Sequence, residues 1–254
     1  MYCGIIGFPL KKPRSIKIWK KFFLKKKINC KMIPIEIKPK ELSKKMNSLK
    51  YDLNFKAAAI TMPYKEKVYK LTIPKDRFSL KARSVNLIVK NKFDFFGYNT
   101  DVYGAFKEIK NIKKKTKVLI YGYGGTGKAI FLNLINAYKK SKFIIISKKN
   151  IKFKNKNIIL RKKIFNNDLI DVNLFINCSP LGSNLRKQFL NKSPLTDFNY
   201  KFLNKNCEIF DIVYSPQKTK LFYQSKKNKI KYYNGLTMNS LQAKKSLEIL
   251  SRFF

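Results

Sequence analysis

The stretch that most restricts the fold of this chain lies near its middle. Val118-Leu119-Ile120-Tyr121 is a short apolar run that passes straight into Gly122-Tyr123-Gly124-Gly125-Thr126-Gly127, and a helical pattern follows from Lys128 to about Tyr138. A strand, a G-x-G-x-x-G turn and a helix in that order meet the requirement for a dinucleotide-binding fingerprint. Glycine permits the tight turn, lets backbone amides approach a pyrophosphate and allows close helix packing, while the helix amino terminus stabilises phosphate charge. The plainer alternative is an ordinary strand-to-helix turn. The next strand, Phe143-Ile144-Ile145-Ile146, ends at Ser147-Lys148-Lys149. An NAD site would place Asp or Glu there for the ribose hydroxyls. A hydroxyl and two cations suit a 2′-phosphate, so the residues favour NADP (NADPH). The cofactor-binding candidates are Gly122, Gly124, Gly125, Thr126, Gly127, Ser147, Lys148 and Lys149.

The rest of the chain supports an α/β reading. Tyr2 to Gly7 reads as a strand, and Ser15 to Phe23 places Ile16, Trp19, Phe22 and Phe23 at helical spacing with lysines on the other face. Met32 to Ile37 and Ala57 to Thr61 read as strands, with Lys40 to Leu49 a helix between them. Val85 to Val89 and Phe93 to Phe96 suggest a hairpin about Asn91-Lys92. Beyond the glycine turn, strands are expected at Leu174 to Asn177 and Glu208 to Ile212, and a helix from Ser240 to Phe253.

Composition removes several classes of function. With no histidine, any acid-base step must use Lys, Asp, Glu, Tyr or Cys. Cys3, Cys30, Cys178 and Cys207 show no C-x-x-C spacing, which argues against a zinc site or a disulfide framework and leaves them as small core residues; no metal is expected. No run approaches the roughly 18 apolar residues of a membrane span, and MYCGIIGFPL lacks the layout of a signal peptide, so no membrane partner and a cytoplasmic location are expected. The net charge of +43 raises a nucleic-acid reading. The lysines, however, are spread along the whole chain among Asn, Ile and Phe, without a recognition motif, so no specific nucleic acid is expected.

Three further segments bear chemistry. Thr61-Met62-Pro63-Tyr64-Lys65-Glu66 follows a strand of small residues, Ser84-Val85-Asn86 comes next, and Gly97-Tyr98-Asn99-Thr100-Asp101 precedes a helix. Together with Gly7-Phe8-Pro9, the glycine turn, Asn177-Cys178-Ser179-Pro180-Leu181-Gly182, Asp211-Ile212-Val213-Tyr214 and Gly235-Leu236-Thr237-Met238 followed by Gln242, they resemble the shikimate dehydrogenase family in identity and order.

That resemblance implies an open-sheet αβ substrate domain (residues 1–101 and 232–254), a Rossmann-like NADP-binding domain (102–231), and a cleft between them. It implies Lys65 and Asp101 as the catalytic pair. Thr61, Asn86, Tyr214 and Gln242 would contact ring hydroxyls of shikimate, Ser15 its carboxylate, and Gly235 the cofactor. An ammonium at hydrogen-bond distance can protonate and stabilise the oxyanion left by hydride transfer to a ketone. Singly, each residue has a duller reading: Asp101 as a helix cap, Asn86 and Gln242 as satisfied core polar groups, Tyr214 as an aromatic at a strand end.

The chain departs from the family at Pro13, which stands where the first Ser of a Ser-x-Ser pair is usual, leaving Ser15 with Lys11, Lys12 or Arg14 to compensate. Asn234 replaces the frequent Asp, and Ser147-Lys148 replaces Asn-Arg, giving up the planar fork of Arg. The implied reaction is interconversion of 3-dehydroshikimate and shikimate with NADP in the route to chorismate and aromatic amino acids. The rivals are a quinate/shikimate dehydrogenase, a basic nucleic-acid-binding protein on a degenerate enzyme scaffold, and a short-chain reductase from spacings such as Tyr103…Lys107 and Tyr138…Lys142. A homodimer is left open.

Overall fold

The computed structural model describes residues 1–10, 13–110 and 116–254. It divides into two compact units, Met1–Tyr103 with Leu241–Phe254, and Gly104–Ser240.

The first unit is built on a mixed sheet. Its strands are β1 (Tyr2–Gly7), β2 (Lys31–Glu36), β3 (Phe55–Ile60), β4 (Ile73–Pro74), β5 (Leu87–Asn91) and β6 (Asp94–Tyr98), in the order β2-β1-β3-β5-β6-β4. β2, β1 and β3 are mutually parallel, whereas β5 and β6 form an antiparallel hairpin beside β3. Lys92 takes the left-handed conformation at the hairpin turn, with φ of 53°. Both faces are covered. Ile6, Phe55, Ala58, Ile60 and Ile88 pack with Met46, Leu49, Tyr64 and Val68 on one side. Cys3, Ile5, Ala57, Leu87 and Val89 pack with Trp19, Phe23, Leu247 and Leu250 on the other.

The helical spacing around Trp19 works as expected. In the helix Arg14–Lys25, Trp19 and Phe23 are buried, and Ile16 and Phe22 pack partly buried beside them. The four cysteines are free thiols, and Cys30 Sγ lies 3.6 Å from Cys3 Sγ.

The second unit holds an all-parallel sheet of β7 (Lys117–Tyr121), β8 (Lys142–Ile146), β9 (Ile158–Arg161), β10 (Leu174–Asn177), β11 (Glu208–Asp211) and β12 (Lys231–Asn234). Its order is β12-β11-β10-β7-β8-β9. Counted within the unit, this is the doubly-wound 3-2-1-4-5-6 pattern of the Rossmann type. Strands buried on both faces need continuous apolar runs, which Val118-Leu119-Ile120 and Phe143-Ile144-Ile145-Ile146 supply. On one face Phe131 meets Tyr123, Phe143 and Phe153 edge-on, with ring centroids 5.8, 5.6 and 5.5 Å away.

β12 was not foreseen as a strand. It pairs with β11 in register from Glu208↔Lys231 to Asp211↔Asn234, which keeps the residues up to Ser240 with the second unit. Among the described residues, no helix is long and apolar enough to cross a membrane.

Removing a large buried ring costs about 3–5 kcal/mol, because the cavity collapses only partly. Phe131→Ala should lower the unfolding free energy of the second unit by that amount, read as a lower urea midpoint; a midpoint unchanged in the second unit would contradict the described packing.

Candidate functional site

In the first unit the expected residues converge on one polar cluster. β3 ends at Ile60, and the chain turns through Thr61 to Tyr64, whose amide bonds the Thr61 carbonyl at 3.0 Å. Tyr64 is fully buried and its hydroxyl donates to the Ile37 carbonyl, so the start of the short helix Lys65–Tyr69 is anchored from below. The Lys65 carbonyl accepts the Val85 amide at 2.9 Å, and the Asn86 carbonyl accepts the Ile60 amide at 2.8 Å. Lys65 and Asn86 are thereby tied to the same end of the sheet, where β3 finishes and β5 begins.

Asp101 opens the helix Asp101–Lys110 directly after β6. Its Oδ2 receives Lys65 Nζ at 2.6 Å, and the two side chains are 9% and 17% exposed, respectively. Its Oδ1 receives Asn86 Nδ2 at 3.0 Å. The Thr100 amide donates to Asn86 Oδ1 at 2.7 Å, which turns the amide nitrogen of Asn86 toward the carboxylate. The same Nδ2 lies 2.9 Å from Thr100 Oγ1 and 3.2 Å from Gln242 Oε1. Gln242 comes from the helix Leu236–Leu250. Four of the expected residues, Lys65, Asn86, Asp101 and Gln242, therefore form one hydrogen-bonded set.

Thr100 and Ser246 complete the set, with their hydroxyls 2.8 Å apart and Ser246 Oγ donating to the Gln242 carbonyl at 3.0 Å. Neither was singled out from the sequence, although Ser246 lies one helical turn beyond Gln242 and so on the same face. Thr61 and Ser15 stand outside this hydrogen-bonded set among the described residues. Thr61 faces the backbone of Gly7, where an added Cβ would come within 2.4 Å of its methyl group. Ser15 is half-buried in the first turn of its helix, beside Pro13 at the N-cap. Lys11 and Lys12 lie outside the described residues.

In the second unit, the glycine turn joins β7 to the helix Gly125–Ala137, which starts three residues before the Lys128 expected from periodicity. Gly122 has φ of +100°, a conformation side chains disfavour, and an added Cβ would press on the backbone of Cys178 and Ser179 at 3.0 Å. At Gly127 a Cβ would meet the Gly122 carbonyl at 2.1 Å, so no other residue fits. Around Gly124 the outcome is opposite: nothing lies within 4 Å of an added Cβ. Gly124 is the N-cap and brings no side-chain cap to the helix. A turn closed on its inner side and open over the helix amino terminus suits an approaching phosphate. It sits between β7 and β10, where the strand order reverses and ligands bind in open α/β sheets.

The other nucleotide-side candidates divide. Ser147 is buried; its amide bonds the Arg161 carbonyl at 2.9 Å, and its hydroxyl accepts the Lys149 amide at 3.1 Å, while Lys148 and Lys149 are exposed. Gly235 packs so tightly that a Cβ would meet the Ile212 carbonyl at 2.1 Å. Tyr214 is half-buried just beyond β11.

Asp211, at the end of β11, was read only as part of a motif, and it is fully buried. It accepts hydrogen bonds from the Val213 amide, Asn177 Nδ2, Thr219 Oγ1 and Tyr232 OH at 3.0, 3.0, 3.2 and 2.9 Å. Burial pushes its carboxyl up to about 6, against the partial opposition of those hydrogen bonds.

The fold and these clusters define a two-domain α/β class with a Rossmann-like second unit. A family model described as the shikimate dehydrogenase substrate binding domain matches residues 5–88. A shikimate dehydrogenase (NADP(+)) of Clostridium botulinum (strain Hall) is 35% identical over 97 residues, 38% of this chain. In that match the chain spans about a third (34%) of the relative's length. The solved shikimate dehydrogenase 1 from Peptoclostridium difficile superposes with a TM-score of 0.84 at 25% identity, over 99% of this chain and 92% of that one. Shikimate 5-dehydrogenase from Thermus thermophilus, solved in complex with NADP(H) and shikimate, shares the fold with a TM-score of 0.81 at 17% identity, over 99% and 93%. The chain is thus similar to shikimate dehydrogenases, by sequence over its first part and by fold over nearly its whole length.

A carboxyl with a raised folded-state pKa holds its proton more tightly when folded. The stability it contributes is complete below its ordinary value of 3.8 and is lost as pH rises through about 6. In Asp211→Asn the Thr219 and Tyr232 hydroxyls can rotate to accept. Between pH 4 and pH 7 the stability of the wild type relative to this variant should fall by about 2 kcal/mol, as chemical denaturation will measure; a constant difference would refute the assignment.

Proposed function

We propose that this chain catalyses the NADP-dependent interconversion of 3-dehydroshikimate and shikimate, in the cytoplasm, with small molecules as its partners. The observation that carries the proposal is the 2.6 Å contact between Lys65 Nζ and Asp101, held by Asn86 and Gln242, in a chain similar to shikimate dehydrogenases. In the reducing direction, Lys65 donates a proton to the oxygen that was the ketone, and its ammonium stabilises the charge developing there. Asp101 directs the Lys65 ammonium and accepts from a substrate hydroxyl. Asn86 and Gln242 offer side-chain amides, and Thr61 and Tyr214 hydroxyls, to the ring hydroxyls of the substrate, and Ser15 binds its carboxylate.

NADP fits the second unit: Gly122, Gly124, Gly125, Thr126 and Gly127 would hold the pyrophosphate, Ser147, Lys148 and Lys149 the 2′-phosphate, and Gly235 the reactive end. The open space over Gly124 is the feature that admits such a group. When bound, NADPH supplies the hydride. The expected domain roles, substrate binding for residues 1–101 and 232–254 and cofactor binding for 102–231, follow from this assignment.

A second reading is favoured by one residue. Pro13 in place of a hydroxyl removes one anchor for the substrate carboxylate, which relaxes selection between shikimate and quinate. The nucleic-acid alternative raised by the net charge finds no support in the likenesses above.

Purified protein given shikimate and NADP at high pH should produce NADPH absorbance, with quinate slower; intact NADP binding without turnover would refute the activity. Lys65→Ala should lower kcat by about 10²- to 10⁴-fold with little change in the KM for NADP. NADP should be preferred over NAD, and equal affinities would remove Lys148 and Lys149 from the cofactor site. Sedimentation tests the homodimer.

A further inference from the structure

Asp76 belongs to neither the motifs nor the cluster just described, yet its carboxylate is used at both ends. Oδ1 accepts the amides of Phe78 and Ser79 at 2.8 and 2.7 Å, capping the short helix Arg77–Ala82. Oδ2 accepts the amide of Asn99 at 2.7 Å, two residues before Asp101. The approach is set by the sheet. β4 runs parallel to β6 with Ile73 opposite Phe96 and Pro74 opposite Gly97, and the Lys75 amide continues the ladder onto the Gly97 carbonyl at 2.9 Å. Asp76 follows, and its side chain takes up the next donor, Asn99, where backbone pairing stops.

That donor starts a chain of fixed positions. The side chain of Asn99 donates to the carbonyl and hydroxyl of Ser84 at 3.1 and 3.0 Å, the Thr100 amide bonds Asn86, and Asp101 meets Lys65. Asn99, Thr100 and Ser84 are all buried. The segment 99–101 thus leaves the end of β6 in one direction, and Asp76 is the group that takes its first amide. Charge-assisted bonds from a carboxylate to backbone N–H groups are shorter and stronger than neutral ones, so a neutral side chain cannot replace this contact without loss.

We propose that Asp76 is a positioning residue for the Lys65–Asp101 pair, acting through the Asn99 amide; the inference rests on the function proposed above. The two ends of the carboxylate allow its two duties to be separated. Ser is a good N-cap, so Asp76→Ser preserves the helix cap, but its side chain is too short to reach Asn99 as well. Asp76→Asn keeps a capping oxygen and turns a donor toward the Asn99 donor. Asp76→Ala loses both contacts.

The experiment compares the three variants with the wild-type chain in thermal stability, amide hydrogen exchange at Asn99, kcat, KM for NADP, and the pH dependence of kcat. Asp76→Ser should unfold close to the wild type and Asp76→Ala well below it. Both should exchange faster at Asn99, lose about 10- to 100-fold in kcat, as a displaced catalytic group does, and show a displaced pH–rate profile with the KM for NADP unchanged. Wild-type kcat, pH profile and Asn99 protection in Asp76→Ser would reduce Asp76 to a helix cap and overturn the proposal. A wild-type chain without activity on shikimate overturns the proposed function, and the catalytic sense of this inference falls with it; an active wild type beside an unimpaired Asp76→Ser overturns the inference alone.

Discussion

The ion pair between Lys65 and Asp101 is the contact around which the first unit's polar cluster is built. Taking an ammonium and a carboxylate out of water costs several kcal/mol per ion, and their attraction offsets this only when further hydrogen bonds satisfy the remaining lone pairs. Here the second carboxylate oxygen is occupied by Asn86, and the orientation of Asn86 is dictated in turn by the Thr100 amide. The pair is therefore held by backbone geometry at three places: the helix start at Lys65, the entry to β5 at Asn86 and the exit from β6 at Asp101. Side chains fixed by backbone need little reorganisation when charge develops nearby.

In the second unit steric closure does the equivalent work. Gly122, Gly127 and Gly235 are each pressed against backbone, whereas Gly124 looks onto open space. The turn has one free side, and the parallel order of the sheet puts that side at the reversal between β7 and β10. Asp211 stands at the same end of the sheet, on the strand beyond β10. Its four hydrogen bonds gather Asn177, Val213, Thr219 and Tyr232 around one buried carboxylate, which pins the loops following β10 and β11.

Apolar runs made much of this architecture readable. Tyr2–Gly7 and Leu174–Asn177 occupy the residues expected of them, because a strand buried on both faces must be continuously apolar. Lys231–Asn234 and Ile158–Arg161 are edge strands of four residues each, too short to set up a pattern of their own. The helix Lys220–Lys227 was missed because its buried positions include Gln224 and Ser225 rather than an apolar stripe. Ile73–Pro74 is two residues long and has no pattern to read, although Asp76 just after it stands as an N-cap before a helical run.

By itself the sequence determined which residue types are available for chemistry and in what order. It excludes histidine from any proton transfer, demands a glycine turn after Val118-Leu119-Ile120-Tyr121, and sets Lys65, Asn86, Asp101 and Gln242 in motifs along the chain. Tertiary structure decided that those four touch, that Thr100 and Ser246 join them, that Asp76 reaches Asn99 and that Asp211 is dry. The reason is physical: periodicity reports the average environment of a segment's faces, whereas a hydrogen bond depends on the position of one atom. Residues 15 to 156 apart in the chain are brought to that position by strand register and helix packing.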